Sequence, residues 1–216
     1  MTGAPTDVSG AGEAVRAGDP RARIVLAITG ASGAIYGRAI LAALVRGGVA
    51  VELVVSPSAQ RVARDELGHE WNDASLRDLL GAAAARVRHH RPDDIGAPIA
   101  SGSFPVAGMI VAPCSMGSAG RIAAGLSDGL IERVVDVQLK ERRCLVLVVR
   151  ETPLSVLHLE NLLRLARAGA TVLPAAPGFY AKPGSIDDLV RFVVERAIAA
   201  AGLAQPRTVE WKGDAP

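Results

Sequence analysis

The chain has 216 residues, half of them hydrophobic, enough for one well-buried domain and too few for two ordinary ones. A formal charge of +2 and 3% aromatic content leave neither a basic stripe nor a stacking platform, which argues against nucleic-acid binding. No stretch approaches the roughly eighteen apolar residues of a membrane span, and Cys114 and Cys144 make neither a disulfide framework nor metal-ligand spacing, so both are expected as buried structural thiols.

Residues 1–22 are rich in Gly, Ala, Pro and Thr and read as a flexible tail, with Asp7, Glu13 and Asp19 where a signal peptide would have an apolar core; a cytoplasmic protein is expected. A first strand is expected at Arg23 to Thr29, a glycine-rich loop at Gly30 to Gly37, a helix at Ile35 to Arg46 and a second strand at Val49 to Val55, ending in Ser56, Pro57 and Ser58. Ala59 to Leu67 and Ser75 to Val87 read as helices, with His89 and His90 solvated beyond them, and Pro92 to Pro105 as a long functional or mobile loop. A strand at Ala107 to Ala112 and a helix after Ser115 follow. Ile131 to Arg142 is expected as a helix, and Cys144 to Val149 as a strand buried on both sides. Thr152 and Pro153 suit an N-cap and a first helical residue, opening a helix to Ala168. A strand at Ala170 to Leu173 and a helix from Ile186 to Ala201 complete an alternation that predicts a doubly wound, Rossmann-like parallel sheet within one domain, 23–203. Residues 204–216 read as a polar tail in which Trp211 is the exception, docking on its own domain or on a neighbouring subunit.

In open α/β sheets ligands bind beyond the carboxyl ends of the strands, so the strand ends are the places to look for chemistry. Thr29-Gly30-Ala31-Ser32-Gly33 lies between a strand and a helix, where glycines let an anion approach backbone N–H groups. It is not G-x-G-x-x-G, and no acidic residue ends the second strand to hold a ribose diol, which disfavours a nicotinamide dinucleotide and fits a mononucleotide held by Ser32 and Ser56. Pro113-Cys114-Ser115-Met116-Gly117-Ser118 repeats the arrangement at a second strand end. Arg133 and Lys140, seven residues apart, share a helical face with Asp136 between them. Taken alone, such a charge run is most often a solvated face. Arg150 and Glu151 close the apolar strand, and Phe179-Tyr180-Ala181-Lys182-Pro183 puts an aromatic pair and a lysine in a proline-bounded turn. The chain has only three lysines, and two of them, Lys140 and Lys182, fall in these candidate sites. His158 has no second ligand at metal spacing and is expected to be structural or to support a residue of the site; no metal is expected.

Together TGASGAIYG, Ser56, SGSF at 101–104, PCSMGS, RVVDVQLKERRCLVLVVRETPL and PGFYAKP resemble the UbiX flavin prenyltransferase family across about residues 23–203. The resemblance implies a flavoprotein, a Rossmann-like homo-oligomer, typically a dodecamer, that transfers the dimethylallyl group of dimethylallyl phosphate to N5 and C6 of reduced FMN. The product, prenylated FMN, would serve a partner decarboxylase. By the same resemblance Gly30, Ala31, Ser32, Ser56, Ser115, Met116, Gly117, Ser118 and Arg133 bind FMN, and Lys140, Arg150, Glu151, Tyr180 and Arg196 surround the dimethylallyl phosphate. Ser32, Lys140, Arg150, Glu151 and Tyr180 are the candidate catalytic residues, with Glu151 placed for proton transfer. Ser118 stands where threonine is usual and Gly178 where alanine is usual; neither change removes a functional group. Two other readings are a non-catalytic flavin carrier or decarboxylase accessory subunit, and a cysteine-type oxidative decarboxylase. The latter needs a histidine where this chain has Ala100 to Pro105.

Overall fold

The computed structural model describes residues 23–203. Six strands, β1 (Arg23–Ile28), β2 (Ala50–Val55), β3 (Val87–His90), β4 (Gly108–Cys114), β5 (Cys144–Val149) and β6 (Thr171–Pro174), form one sheet in the order β3-β2-β1-β4-β5-β6. Every pairing is parallel. The helices are α1 (Ala34–Arg46), α2 (Pro57–Leu67), α3 (Asp73–Leu80), α4 (Met116–Ala123), α5 (Leu130–Lys140), α6 (Val156–Arg167) and α7 (Ile186–Ala200).

Successive residues of β1 point to opposite faces, and both faces are buried. Ile24, Leu26 and Ile28 join a core with Leu41 and Leu44 of α1 and Val193 and Ile198 of α7, while Val25 and Ala27 join a second with Val134 and Val135 of α5 and Leu165 of α6. Two-sided burial explains why the strands read as continuous apolar runs, and it makes the sheet doubly wound as expected. Short polar residues set the helix starts: Ser56, Ser115, Ser155 and Ser185 each accept a backbone N–H of the first turn of α2, α4, α6 and α7.

Three expectations need correction. The helix expected through Val87 stops at Leu80, because Gly81 takes φ 58, and a 3-10 turn over Gly81–Arg86 leads into edge strand β3. His90 is therefore not solvated: it is 7% exposed and its Nε2 lies 2.5 Å from Oε2 of Glu52, itself 4% exposed on β2. His89 is partly buried, and burial holds its pKa below the usual histidine range. The helix expected from Pro153 begins at Val156 instead. Ser155 caps it reciprocally, its hydroxyl accepting from His158 N and its own N–H donating to His158 Nδ1, which gives His158 the structural role expected of it. The long Pro92 to Pro105 segment is anchored at Ala97, Ile99 and Ala100, buried in the second core, while Asp93 to Gly96 are exposed. Burial is complete for Cys114, whose thiol is pushed up to about 12, and partial for Cys144, whose Sγ donates to Ala200 O at 3.1 Å. The readings of 1–22 and of Trp211 within 204–216 lie outside the described residues.

Candidate active site

The strand order changes direction between β1 and β4, and the two loops singled out in the sequence leave the carboxyl ends of these two strands. Thr29 ties them together. Its N–H and its hydroxyl both donate to Pro113 O, at 3.1 and 2.9 Å, and its Oγ1 accepts from Ser115 N at 2.8 Å. Two glycines set the loop geometry. A Cβ on Gly30 would lie 2.4 Å from Ser58 Oγ, and one on Gly37 would lie 2.7 Å from Ala112 O, so the first lets α2 approach the loop and the second seats α1 on β4.

The N-terminus of α1 is not an open anion site. The carboxylate of Glu66, from the last turn of α2, accepts from Gly33 N at 2.9 Å and from Ala34 N at 2.8 Å. Burial alone would raise this carboxyl, but hydrogen bonds from Ser32, Gly33 and Ala34, with the charge of Arg150, outweigh it and hold the group below the usual range. Arg150 reaches over from the end of β5, its Nε donating to Ser32 O at 3.0 Å. Burial pushes the Tyr36 phenol up, and Arg150 partly offsets that. Ser32, Glu66 and Arg150 thus form a polar cluster in which a cation and an ionised carboxylate face the same loop.

Beside it lie the hydroxyls. Ser56 Oγ accepts from Ala59 N at 3.1 Å and lies 3.0 Å from Ser58 Oγ. Ser115 Oγ accepts from Ser118 N and donates to Ser118 Oγ, which also receives Arg121 Nη2 at 3.1 Å. Arg121 is paired in turn with the buried Glu132 at 2.8 Å. Gly117 opens α4 with nothing closer than 3.9 Å to the place a Cβ would occupy. Serine hydroxyls around an uncrowded helix start, next to an arginine, are donors suited to a phosphorylated polyol, and so to the FMN that the sequence resemblance implies. Among the described residues no group of three or more His, Cys, Asp or Glu is placed to hold a metal ion.

Glu151 follows Arg150 at this end of the sheet, while the contacts of Tyr180 and the position of Arg196 relate them to α7 and not to the cluster. Glu151 is exposed and accepts from Thr152 N at 3.1 Å. Tyr180 packs edge-on against Phe192 of α7 at 5.9 Å, and Arg196 follows one turn along the same face.

Lys140 is not brought there. It ends α5, just before β5 begins, and lies over Gly102 at the amino-terminal edge of the sheet. Arg150 follows β5, six residues long, so the two cations are separated by a strand of about 20 Å. Arg133, also on α5, pairs with Asp136 at 2.9 Å. The chain order already contains this separation, since a helix entering a parallel strand ends at the opposite edge from the residues leaving it. Glu66 was missed, because nothing in the polar sequence of α2 distinguishes it from Asp65.

The family model described as Flavoprotein matches residues 13–198. A flavin prenyltransferase UbiX from Halalkalibacterium halodurans is 46% identical over 186 residues, covering 85% of this chain and 90% of that protein. The chain belongs to the flavin prenyltransferase family. Among solved structures of such proteins, AnUbiX in complex with FMN and dimethylallyl pyrophosphate is 42% identical, with a TM-score of 0.75 over 87% of this chain and 98% of that one. A dodecameric FMN-dependent UbiX-like decarboxylase from Escherichia coli O157:H7 is 43% identical, with a TM-score of 0.78 over 88% and 99% of the two chains. This flavin prenyltransferase chain thus shares with them both its sequence family and its six-stranded sheet. Among its described residues no helix is long and apolar enough to cross a membrane.

Proposed function

We propose that this protein is a cytoplasmic flavin prenyltransferase that joins the dimethylallyl group of dimethylallyl phosphate to N5 and C6 of reduced FMN, working as a homo-oligomer and passing prenylated FMN to a separate decarboxylase. The observation that carries the reading is the cluster of Ser32, Glu66 and Arg150 at the switch point, in a chain 46% identical to a flavin prenyltransferase. Bound reduced FMN supplies the nucleophilic nitrogen and the ring carbon that receive the five-carbon group. The protein supplies a hydroxyl-lined cradle from Gly30, Ala31, Ser32, Ser56, Ser115, Met116, Gly117 and Ser118, and cations for the departing phosphate.

In this reading Arg150 meets that charge from within one copy and Arg133 joins the FMN cradle, whereas Lys140 lies too far away in the same copy. A second copy lays its amino-terminal edge against the first copy's site and brings Lys140. Support for such assembly comes from the apolar residues after the site: Val156 and Leu157 on α6 are each 70% exposed, with Leu159 and Leu163 also exposed one and two turns on. Tyr180 and Arg196 flank the phosphate. Glu151 and Glu66 hold and move the proton, Glu66 being kept ionised by the loop amides and Glu151 reaching solvent.

Anaerobic incubation of the purified protein with reduced FMN and dimethylallyl phosphate, followed by mass spectrometry of the released flavin, tests the function. A five-carbon mass gain is expected. Unmodified FMN from protein that binds flavin, with diphosphate tried as well, points to a carrier instead.

A further inference from the structure

Around Lys140, the amino-terminal edge carries a clamp that the chemistry above leaves without a role. After α5 the chain turns through Arg142, which adopts φ 54, and Arg143 is directed back toward the Ser101–Phe104 turn. There one half-buried guanidinium spans two carbonyls: Nη1 donates to Phe104 O at 3.0 Å and Nη2 donates to Gly102 O. The turn is held from other sides too. The Arg23 guanidinium sits 5.0 Å over the Phe104 ring, and Arg23 is anchored at 3.4 Å to Glu52, which is bonded to His90. A Cβ on Gly102 would meet Lys140 Nζ at 2.8 Å, so the Lys140 ammonium packs on the turn's backbone beside Glu141, its ion-pair partner.

We infer that Arg143 is a positioning residue for the prenyl-transfer reaction: by clamping Gly102 O and Phe104 O it fixes the surface on which Lys140 rests, and so the place of the ammonium that a second copy offers to the phosphate. This rests on the proposed function, in which Lys140 acts across the subunit contact. A planar fork is needed because the two carbonyls lie apart and only a guanidinium donates to both at fixed angles; a lysine in its place keeps the charge and reaches one. With the clamp halved, the Gly102 turn relaxes and Lys140 loses its seat. A misplacement of about 1 Å in a charged group at a reacting centre lowers rate by about a hundredfold.

The test compares Arg143→Lys with Lys140→Ala in the full-length oligomer. Arg143→Lys is expected to keep its oligomeric mass, melting temperature and FMN affinity, while calorimetric binding of dimethylallyl phosphate to the FMN complex weakens at least tenfold, as it does for Lys140→Ala. kcat/KM falls with it, mainly through KM. The double variant is expected to be no weaker than Lys140→Ala alone, since Arg143 acts through Lys140. Wild-type phosphate affinity in Arg143→Lys, alongside a weakened Lys140→Ala, overturns the inference and leaves the proposed function standing. Full affinity in Lys140→Ala removes Lys140 from the phosphate site and both readings of this edge with it. An additive double variant assigns Arg143 a structural role only.

Discussion

At the residue scale, two carboxylates near one flavin site differ in what surrounds them. Glu66 is fixed by loop amides and held below its usual range, whereas Glu151 is exposed and reached by Thr152 N. Replacing each by glutamine should separate their roles. Glu151→Gln is expected to bind FMN normally and slow prenyl transfer about a hundredfold, the effect of a lost acid-base group. Glu66→Gln is expected to lose stability as well, on the order of 1 kcal/mol, because a carboxylate at a helix N-terminus becomes neutral. The sign follows from the direction of the shift. A carboxyl held low in the folded state contributes stability above its unfolded pKa and loses it as pH falls through the lowered value. Denaturant unfolding of the two proteins should therefore differ at neutral pH and converge in acid; a gap that persisted in acid would show that Glu66 stabilises through packing and not through charge. Nothing in the sequence separated Glu66 from its neighbours, because its role comes from α2 returning to the α1 amides, a contact between residues 33 apart. Ser56 and Ser115 were legible for the opposite reason: a serine between a strand and a helix acts locally, as a cap.

At the element scale, alternation of apolar strands and amphipathic helices disclosed five of the six strands and the doubly wound class. What escaped was β3, which has four residues, three of them Arg or His, on the sheet edge; its pairing with β2 and the buried His90–Glu52 contact make it a strand, and pattern alone does not. The start of α6 lies at Val156 and not at Pro153 because the reciprocal bonds between Ser155 and His158 set the cap there. The seating of α1 on β4 rests on one glycine. Gly37→Ala would place a Cβ 2.7 Å from Ala112 O, a backbone atom that cannot swing away. Overpacking of that kind should cost about 1–3 kcal/mol and shift the glycine loop at the start of α1, so thermal unfolding and FMN affinity should both fall. A melting temperature like the parent's would mean that the helix moves at no cost.

At the scale of the whole molecule, the sheet separates residues that the family resemblance groups together. Arg150, Ser32 and Glu66 sit at the carboxyl edge, and Lys140 and the Arg143-clamped turn at the amino edge. Ser32, Arg150 and Lys140 were legible in the sequence and Glu66 was not; helical spacing shows which residues share a face, and only the chain order of α5 and β5 shows that Lys140 and Arg150 reach opposite ends of the sheet. One chain cannot fold both edges onto one flavin across a two-faced core, so the account's central claim is that a second copy completes the site. Co-expression of a Lys140→Ala chain with an Arg150→Ala chain tests it most directly, with prenylated FMN formation as the readout. At subsaturating dimethylallyl phosphate each variant alone is expected to be strongly impaired. Mixed oligomers should recover part of the wild-type activity, because some sites pair an intact Arg150 edge with an intact Lys140 edge. Mixed oligomers as impaired as the separate variants under the same conditions would contradict the claim and place both cations in the same copy's site.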